Sequence, residues 1–463
     1  MEFTSFSYVV FLIPAVVLLR QLRGVAREWG MLLLSLIFYG TWDYRYVPLL
    51  IGIAAFTWYA GRSIAQQRGQ VRRLWGPIVV ILAILAVFKY SPMIVDVVNR
   101  LARSRVEPLD IILPLGISFF TFECISYLLD VYKGEKQLVP FRRFLLFPSF
   151  WPHMIAGPIL RIKEFGPQLE ATTNPTAGET LLAIDRILVG WIKKSVLANA
   201  LAGVVDAGFK GAAQNTAIDN WMLAVAFGLQ IYFDFSAYSD IAIGSARLVG
   251  ITFPENFNLP YHSKSPSEFW TRWHMTLSRW IRDYLFFPLN LRAGRRLWLR
   301  YAFLVLVMSA VGLWHGAGFS FILWGTWHGA LMVFHRLVEK RAVFLPAKLR
   351  GSLGFVITFA LVQAGWIFFR APAFEQAVAM LGTMFTMRGL RPSYPVNDYL
   401  LVALAGALYF LVEPVARRVI TRDAASVDFS RPTFWLRAPV YALSLQLIFM
   451  FDTSNVAFIY FQF

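Results

Sequence analysis

Apolar residues run along this chain in long blocks, separated by short polar or basic stretches. A helix that spans a bilayer needs about 20 mostly apolar residues. Blocks approaching that length lie at 6–20, 30–42, 46–61, 76–98, 110–130, 180–205, 218–250, 298–315, 319–336, 354–371, 398–415 and 434–452. Several are short, and many are interrupted by Gly, Pro or a charge. Such interruptions predict helices that break, or that enter and return, inside a protein-lined cavity. The pattern predicts an all-α polytopic integral membrane protein of about eleven transmembrane helices, with re-entrant and amphipathic segments. No internal repeat, low-complexity tract or linker is visible, so residues 1–463 are expected to form one membrane-embedded domain. Along it we expect N-terminal helices at 1–135, a catalytic core at 136–340 and C-terminal helices at 341–463. The polar stretches 62–75 and 160–180 are expected to be connections.

Composition supports the same class. Apolar residues make up 57% and charged residues 15%, against about 25% charged in a soluble domain. A formal charge of +17 on a soluble protein would suggest a nucleic-acid partner. Here the basic residues flank apolar runs, as in Arg20, Arg23 and Arg27, or Arg62, Arg68, Arg72 and Arg73. That placement predicts cytoplasmic loops and contact with membrane lipids, with no nucleic acid. Residues 6–20 read as a retained helix and not a cleaved signal: Glu2 replaces the usual positive start, and the basic residues follow the run. The N-terminus is therefore expected outside the cytoplasm, and the loop at 62–73 inside. The loop at 99–110 conflicts with that alternation, because it carries Arg100, Arg103 and Arg105 on the outer side. Cys124 is the only cysteine. It excludes an internal disulfide and reads as a core residue.

Residues 263–290 differ in kind. Ser265 or Ser267 is available to cap a helix, with Glu268 in its first turn. Phe269, Trp270, Trp273, Leu277, Trp280 and Ile281 then recur at helical spacing, interleaved with Arg272, Arg279, Arg282 and Asp283. A basic, aromatic-rich amphipathic segment is expected in the membrane interface or under the bundle. It would serve either as a cover or as a binding surface for a donor.

Six histidines are present: His153, His262, His274, His315, His328 and His335. His315 follows the nearly uncharged stretch 301–314 and opens a Gly-rich break, His315-Gly-Ala-Gly318. Neutral imidazole suits proton transfer near neutral pH, so His315 is the leading candidate. A hydrogen-bonded core histidine is the alternative. His328 and His335 lie seven apart on the next helix, with Trp324 on the same side. Their spacing with His315 is no metal motif, so no metal and no permanently bound cofactor is expected. No phosphate-binding loop, dinucleotide fingerprint or Gly-x-Ser-x-Gly element occurs.

Several ordered blocks resemble the membrane-bound O-acyltransferase family, in its bacterial alginate O-acetyltransferase-like branch. They are Leu113-Pro-Leu-Gly-Ile-Ser-Phe119, Pro152-His-Met-Ile-Ala-Gly-Pro158, Tyr232-Phe-Asp-Phe-Ser-Ala-Tyr-Ser-Asp240, Pro254-Glu-Asn-Phe-Asn-Leu-Pro-Tyr261, Glu268-Phe-Trp-Thr-Arg-Trp-His274, Gly312-Leu-Trp-His-Gly316 and Phe321-Ile-Leu-Trp-Gly-Thr-Trp-His-Gly329. The resemblance implies a helix bundle around a central tunnel, with a cytoplasmic acyl thioester on one side and an extracytoplasmic acceptor on the other. The family's catalytic histidine maps onto His315, and its second polar position onto His274. Asn256, Arg272, Trp273, Trp314, Trp324 and His328 fall where the resemblance places substrate-binding residues. Where many members carry an arginine pair before the tryptophan, this chain reads Thr271-Arg272.

The chain finishes Phe458-Ile-Tyr-Phe-Gln-Phe463, after Asp452-Thr-Ser-Asn455. This resembles the C-terminal tyrosine motif of the small membrane partner in teichoic-acid D-alanylation, where that tyrosine is proposed to carry the acyl group. A phenol, with pKa about 10, lies between a thiol at about 8.5 and an alkyl alcohol, so a phenyl ester at Tyr460 is a sensible way-station. The alternative is an aromatic interfacial anchor.

The resemblance thus implies a bacterial inner-membrane relay with its N-terminus in the periplasm. It would take acetyl from acetyl-CoA or another acyl thioester and pass it to an exopolysaccharide such as alginate or cellulose. A periplasmic acetyltransferase of SGNH type, or the polysaccharide itself, would receive it. Peptidoglycan O-acetylation, D-alanyl transfer by the same chemistry, and a non-catalytic lipid or sugar transporter are the alternatives.

Overall fold

The computed structural model describes residues 1–67, 69–107, 111–135, 138–155, 157–171, 173–339, 346–427, 430, 435, 437–451 and 458–459. Among them the regular structure is helical, without β-strand. In hydrocarbon a helix satisfies its backbone groups within its own segment. Six helical stretches are long and apolar enough to cross a membrane: Gly24–Gln66, Val71–Ala102, Ala177–Lys210, Leu297–His315, Ala347–Arg370 and Val396–Ile420. Phe6–Gln21 and Arg437–Phe451 are apolar but shorter. The chain is a multi-pass, all-α membrane protein. It divides into two compact units that interleave along the sequence: Met1–Ile187 with Ser239–Pro254, and Leu188–Tyr238 with Glu255–Phe463.

The first unit holds α1 (Phe6–Gln21), α2 (Gly24–Asp43), α3 (Val47–Gln66), α4 (Val71–Ala102), α5 (Ile117–Tyr132), α6 (Phe141–Ser149), α7 (Ile162–Ala171) and most of α8 (Ala177–Trp191). Ser5 caps α1 by accepting from the Tyr8 N–H. A single 3-10 turn, Tyr44–Tyr46, joins α2 to α3. The polar stretch 160–180 is more than a connection, since it contains α7. Two early motifs meet in this unit. Gly116 sits at φ +69°, where a Cβ would lie 2.1 Å from the Met154 carbonyl oxygen, so only glycine fits. Immediately before Met154, His153 places Nδ1 3.2 Å from Glu123 on α5, while its Nε2 donates to the Phe147 carbonyl at 2.9 Å. These residues knit a junction and are spoken for by it. Cys124 is buried.

In the second unit a π-helical stretch, Ile192–Ala198, leads into α9 (Asn199–Lys210). Next comes α10 (Ala217–Leu248), which gives its first part to this unit and its end to the other. Its start is a reciprocal cap. Thr216 Oγ1 accepts from the Asp219 N–H, and the Asp219 carboxylate accepts from the Thr216 N–H. Two buried acids of the unit are paired with lysines, as burial of charge favours. Lys194 meets Asp234 at 2.8 Å, and Lys193 meets Glu413 at 2.6 Å. The same Glu413 oxygen accepts from the Tyr232 hydroxyl at 2.7 Å.

Short helices α11 (Pro266–Arg272), α12 (Met275–Ile281) and α13 (Phe287–Ala293) follow, then α14 (Leu297–His315) and α15 (Phe319–Glu339). The unit closes with α16 (Ala347–Arg370), α17 (Phe374–Phe385), α18 (Val396–Ala407), α19 (Glu413–Ile420) and α20 (Arg437–Phe451). α14 and α15 form an antiparallel hairpin with its main chains in close approach. A Cβ on Gly312 would lie 2.0 Å from the Phe321 carbonyl oxygen, and one on Gly325 would lie 2.1 Å from that of Met308. Helices in lipid associate through such small residues. The crossing fixes where His315, the last residue of α14, stands relative to Trp324 and His328.

Candidate active site

The segment 263–290 is divided among short helices, with a break at Trp273–His274. Ser265 caps α11 by accepting from the Glu268 N–H at 3.1 Å, as anticipated. The helix then ends, and the chain turns through Trp273 (φ −98°, ψ 130°) and His274 (φ +41°, ψ 56°) before α12 begins. Phe269, Trp270, Trp273, Leu277, Trp280 and Ile281 are all buried in the unit's core. Apolar spacing shows which residues seek burial, but it does not show where the backbone breaks. A non-glycine residue in the left-handed region is uncommon and concentrates at functional sites.

The break is held from outside by the stretch before it. The Asn258 N–H donates to the Arg272 carbonyl at 2.9 Å, and the Met275 N–H donates to the Asn256 carbonyl at 2.8 Å. The Asn256 side-chain oxygen lies 3.0 Å from His274 Nδ1 and accepts from the Thr276 hydroxyl at 2.9 Å and the Thr276 N–H at 3.3 Å. An amide oxygen only accepts, so Nδ1 carries the proton. Nε2 is then the bare nitrogen, and it is buried without a hydrogen-bond partner among the described residues. Burial pushes the His274 imidazole down to about 3. The ring is therefore neutral at physiological pH, with a lone pair facing the interior. Arg272 is half-buried, tied to Glu268 at 2.9 Å and to the Asn258 carbonyl at 3.3 Å.

From His274 the site continues through rings. The Trp314 ring centroid lies 6.5 Å from that of His274 and 4.8 Å from that of His315. His315 meets Trp324 edge-on at 5.1 Å, and Trp324 meets His328 at 5.0 Å. The second unit thus assembles Asn256, Trp273, His274, Trp314, His315, Trp324 and His328 around one aromatic nest, while the Arg272 side chain turns back to Glu268 and the Asn258 carbonyl. Tyr460 lies outside the described residues.

Helix α16 supplies side chains that the motifs did not reveal. Phe369 packs on His315 at 5.5 Å and on Trp324 at 5.1 Å, and Trp366 stacks on Trp324 at 5.6 Å. Gln363 is fully buried, and neither of its amide atoms has a hydrogen-bond partner among the described residues. The same holds for both ring nitrogens of His328. Buried polar atoms are ordinarily satisfied, so His328 and His274 Nε2 present hydrogen-bonding capacity to whatever enters, while the Gln363 amide lies beside Gly228 of α10. The available signal was Gln363 itself, the one amide in the apolar run 352–369. His335, by contrast, is partly exposed, with Nδ1 3.9 Å from Glu339.

The arrangement suits acyl transfer: neutral imidazoles for moving a proton, aromatic walls that exclude water, and unsatisfied polar groups for orienting a substrate. Comparison with known proteins points the same way. The sequence model of the membrane-bound O-acyltransferase family matches residues 114–369. A probable alginate O-acetylase of Pseudomonas aeruginosa is 34% identical, with all of both chains covered. A peptidoglycan O-acetyltransferase of Helicobacter pylori is 32% identical over 94% of this chain and 91% of the relative. A teichoic acid D-alanyltransferase of Bacillus subtilis is 30% identical over 58% of this chain and 71% of the relative.

Proposed function

The chain belongs to the membrane-bound O-acyltransferase family and is an O-acyltransferase, and from that premise we propose that it relays acetyl groups outward for O-acetylation of an exopolysaccharide. Acetyl is favoured over D-alanyl because the relatives named as O-acetylases match along nearly the whole chain, whereas the D-alanyl relative matches 58% of it. Alginate-like polymers come first as acceptor, on the strength of the full-length relatives named for alginate. Peptidoglycan is the second reading, carried by the Helicobacter relative.

The donor is an acetyl thioester, acetyl-CoA in the simplest case, approaching from the cytoplasm. A hydroxyl attacks the thioester carbonyl, a C–O bond forms and the C–S bond breaks. His315 takes the hydroxyl proton and returns it to the leaving thiolate, which departs as a thiol. His274 acts beside it, its Nε2 lone pair accepting a hydrogen bond that places a reactant. Trp273, Trp314 and Trp324 wall the site, while Arg272, Asn256 and His328 orient the donor directly or through neighbours. Tyr460 is the candidate first acceptor, as a phenyl ester between thioester and sugar ester. Its neighbours Phe458 and Ile459 are buried in the same unit as the histidines. From the bacterial inner membrane, with the N-terminus in the periplasm, the acetyl group would pass to a periplasmic transferase or to the polymer.

The observation that carries this reading is the single ring, Trp314, that spans His274 and His315. The test is His315→Ala with isotope-labelled acetyl-CoA in membranes containing the acceptor system. Label transfer should fall to background while the protein still inserts at normal levels. Normal polymer labelling in a well-expressed variant would refute the catalytic role. For Tyr460, Tyr460→Phe keeps the ring and removes one oxygen. Transfer to the external acceptor should be lost, and an acetylated C-terminal peptide, cleavable by hydroxylamine, should disappear.

A further inference from the structure

The most deeply placed carboxylate near the histidines does more than neutralise a lysine. Asp234 on α10 is 1% exposed, and one of its oxygens lies 2.8 Å from Lys194 Nζ in the π-helical stretch. The other accepts the main-chain N–H of Ile459 at 2.7 Å. The neighbouring Phe458 is fully buried and stacks on Tyr238, one turn along α10, at 3.9 Å with an interplanar angle of 30°. Phe458 also lies 6.1 Å from Phe235, which in turn meets His274 edge-on at 4.7 Å. One ring therefore separates this C-terminal stretch from the second histidine of the site. α20 packs on the π-helical stretch that carries Lys194, so the lysine, the carboxylate and the described residues Phe458 and Ile459 form a single cluster.

A hydrogen bond from a side chain to a backbone N–H reads position along the chain, whatever side chain stands there. A carboxylate whose other oxygen holds an ammonium has its orientation fixed. We propose that Asp234, oriented by Lys194, is a latch that fixes the main chain at Ile459 and so holds Phe458 and Ile459 beside the ring that backs His274. Asp234 is a positioning residue. It touches no reacting atom and acts through the register of the chain one residue before Tyr460. The latch gives the relay its placement and rests, in that respect alone, on the reading of Tyr460 as carrier.

Removing only Asp234 would take the carboxylate from a buried ammonium and risk misfolding, so the test removes the pair. The reporter is Ile459→Cys, at a position 3% exposed in the parent, labelled with a maleimide in the purified full-length protein. The other cysteine, Cys124, is buried and contributes little background. In Asp234→Ala with Lys194→Met, labelling should accelerate about tenfold, the change expected when one buried hydrogen bond is lost. In Asp234→Asn with Lys194→Met, the amide oxygen still accepts from the main-chain N–H of residue 459, and labelling should stay near the parent rate. This rescue distinguishes a latch from a general loss of packing. Equal rates in the parent and the alanine pair, at normal yield, would overturn the latch, as would equal acceleration in the alanine and asparagine pairs. Label transfer from acetyl-CoA is read in parallel. If it falls with the alanine pair and recovers with the asparagine pair, the latch positions the relay. If accessibility rises while transfer is unchanged, the latch stands and the carrier reading of Tyr460 falls.

Discussion

At the scale of single residues, the second histidine owes its state to its neighbour. Three donors converge on the Asn256 side-chain oxygen, and that convergence leaves His274 one tautomer. Asn256→Ala should therefore lower transfer by about a hundredfold, the cost of a misplaced group at a reacting centre, while thioester binding changes little. Equilibrium binding and single-turnover labelling would separate the two. His274→Ala should be less severe than His315→Ala, because placement is lost and proton transfer is kept. Burial also makes His274 a pH sensor of stability. Its folded value of about 3 lies below the ordinary 6.5, so the unfolded chain binds the proton first. Its contribution is full above pH 6.5 and declines as pH falls from there toward 3, by about 1.4 kcal/mol per unit. The thermal midpoint of the parent should fall faster than that of His274→Gln between pH 7.5 and 5.5. His274 was legible in the sequence as a candidate. Its left-handed backbone was not, because that conformation is signalled by Gly or Asn and here a histidine is forced into it by its surroundings.

At the scale of elements, the α14–α15 crossing carries the site's geometry. A methyl at Gly325 or Gly312 would meet a carbonyl oxygen at about 2 Å, and the obstacle is backbone, which does not swing aside. Gly325→Ala should destabilise by about 1–3 kcal/mol and lower transfer by moving His315 against Trp324. Gly382→Ala, on α17 with nothing within 4 Å of the new methyl, should instead stabilise by about 0.5–1 kcal/mol. Thermal unfolding of the detergent-solubilised protein, followed by size-exclusion fluorescence, reads both. The apolar blocks located the helices well, from Phe6–Gln21 to Arg437–Phe451. The helical spacing at 263–290 did not reveal its break, because period 3.6 persists through residues 269–281 while the chain turns at 273–274. Main-chain hydrogen bonds from Asn258 and to Asn256 compensate the broken helix. Those partners lie more than ten residues away, beyond the reach of local periodicity.

For the molecule as a whole, the membrane class was legible from blocks and charge, whereas the interleaved units were not. Ser239–Pro254 groups with the N-terminal helices through contacts such as Tyr8 with Ser245 at 2.8 Å and Arg186 with Asp240 at 3.0 Å. Nothing in a linear pattern announces such pairs. The basic flanks predict an outside N-terminus. In intact spheroplasts a membrane-impermeant maleimide should label Thr4→Cys and spare Gln67→Cys, and the reverse would invert the topology. The interlock between 256–258 and 272–275 matters differently for anyone recombining this enzyme with its relatives. Each stretch supplies the other's missing hydrogen bonds, so the two have to be exchanged together. Chimeras with breakpoints before Pro254 and beyond Ile281 should fold. One cut between them joins halves matched to different ancestors, and His274 would inherit a partner it was not built to face.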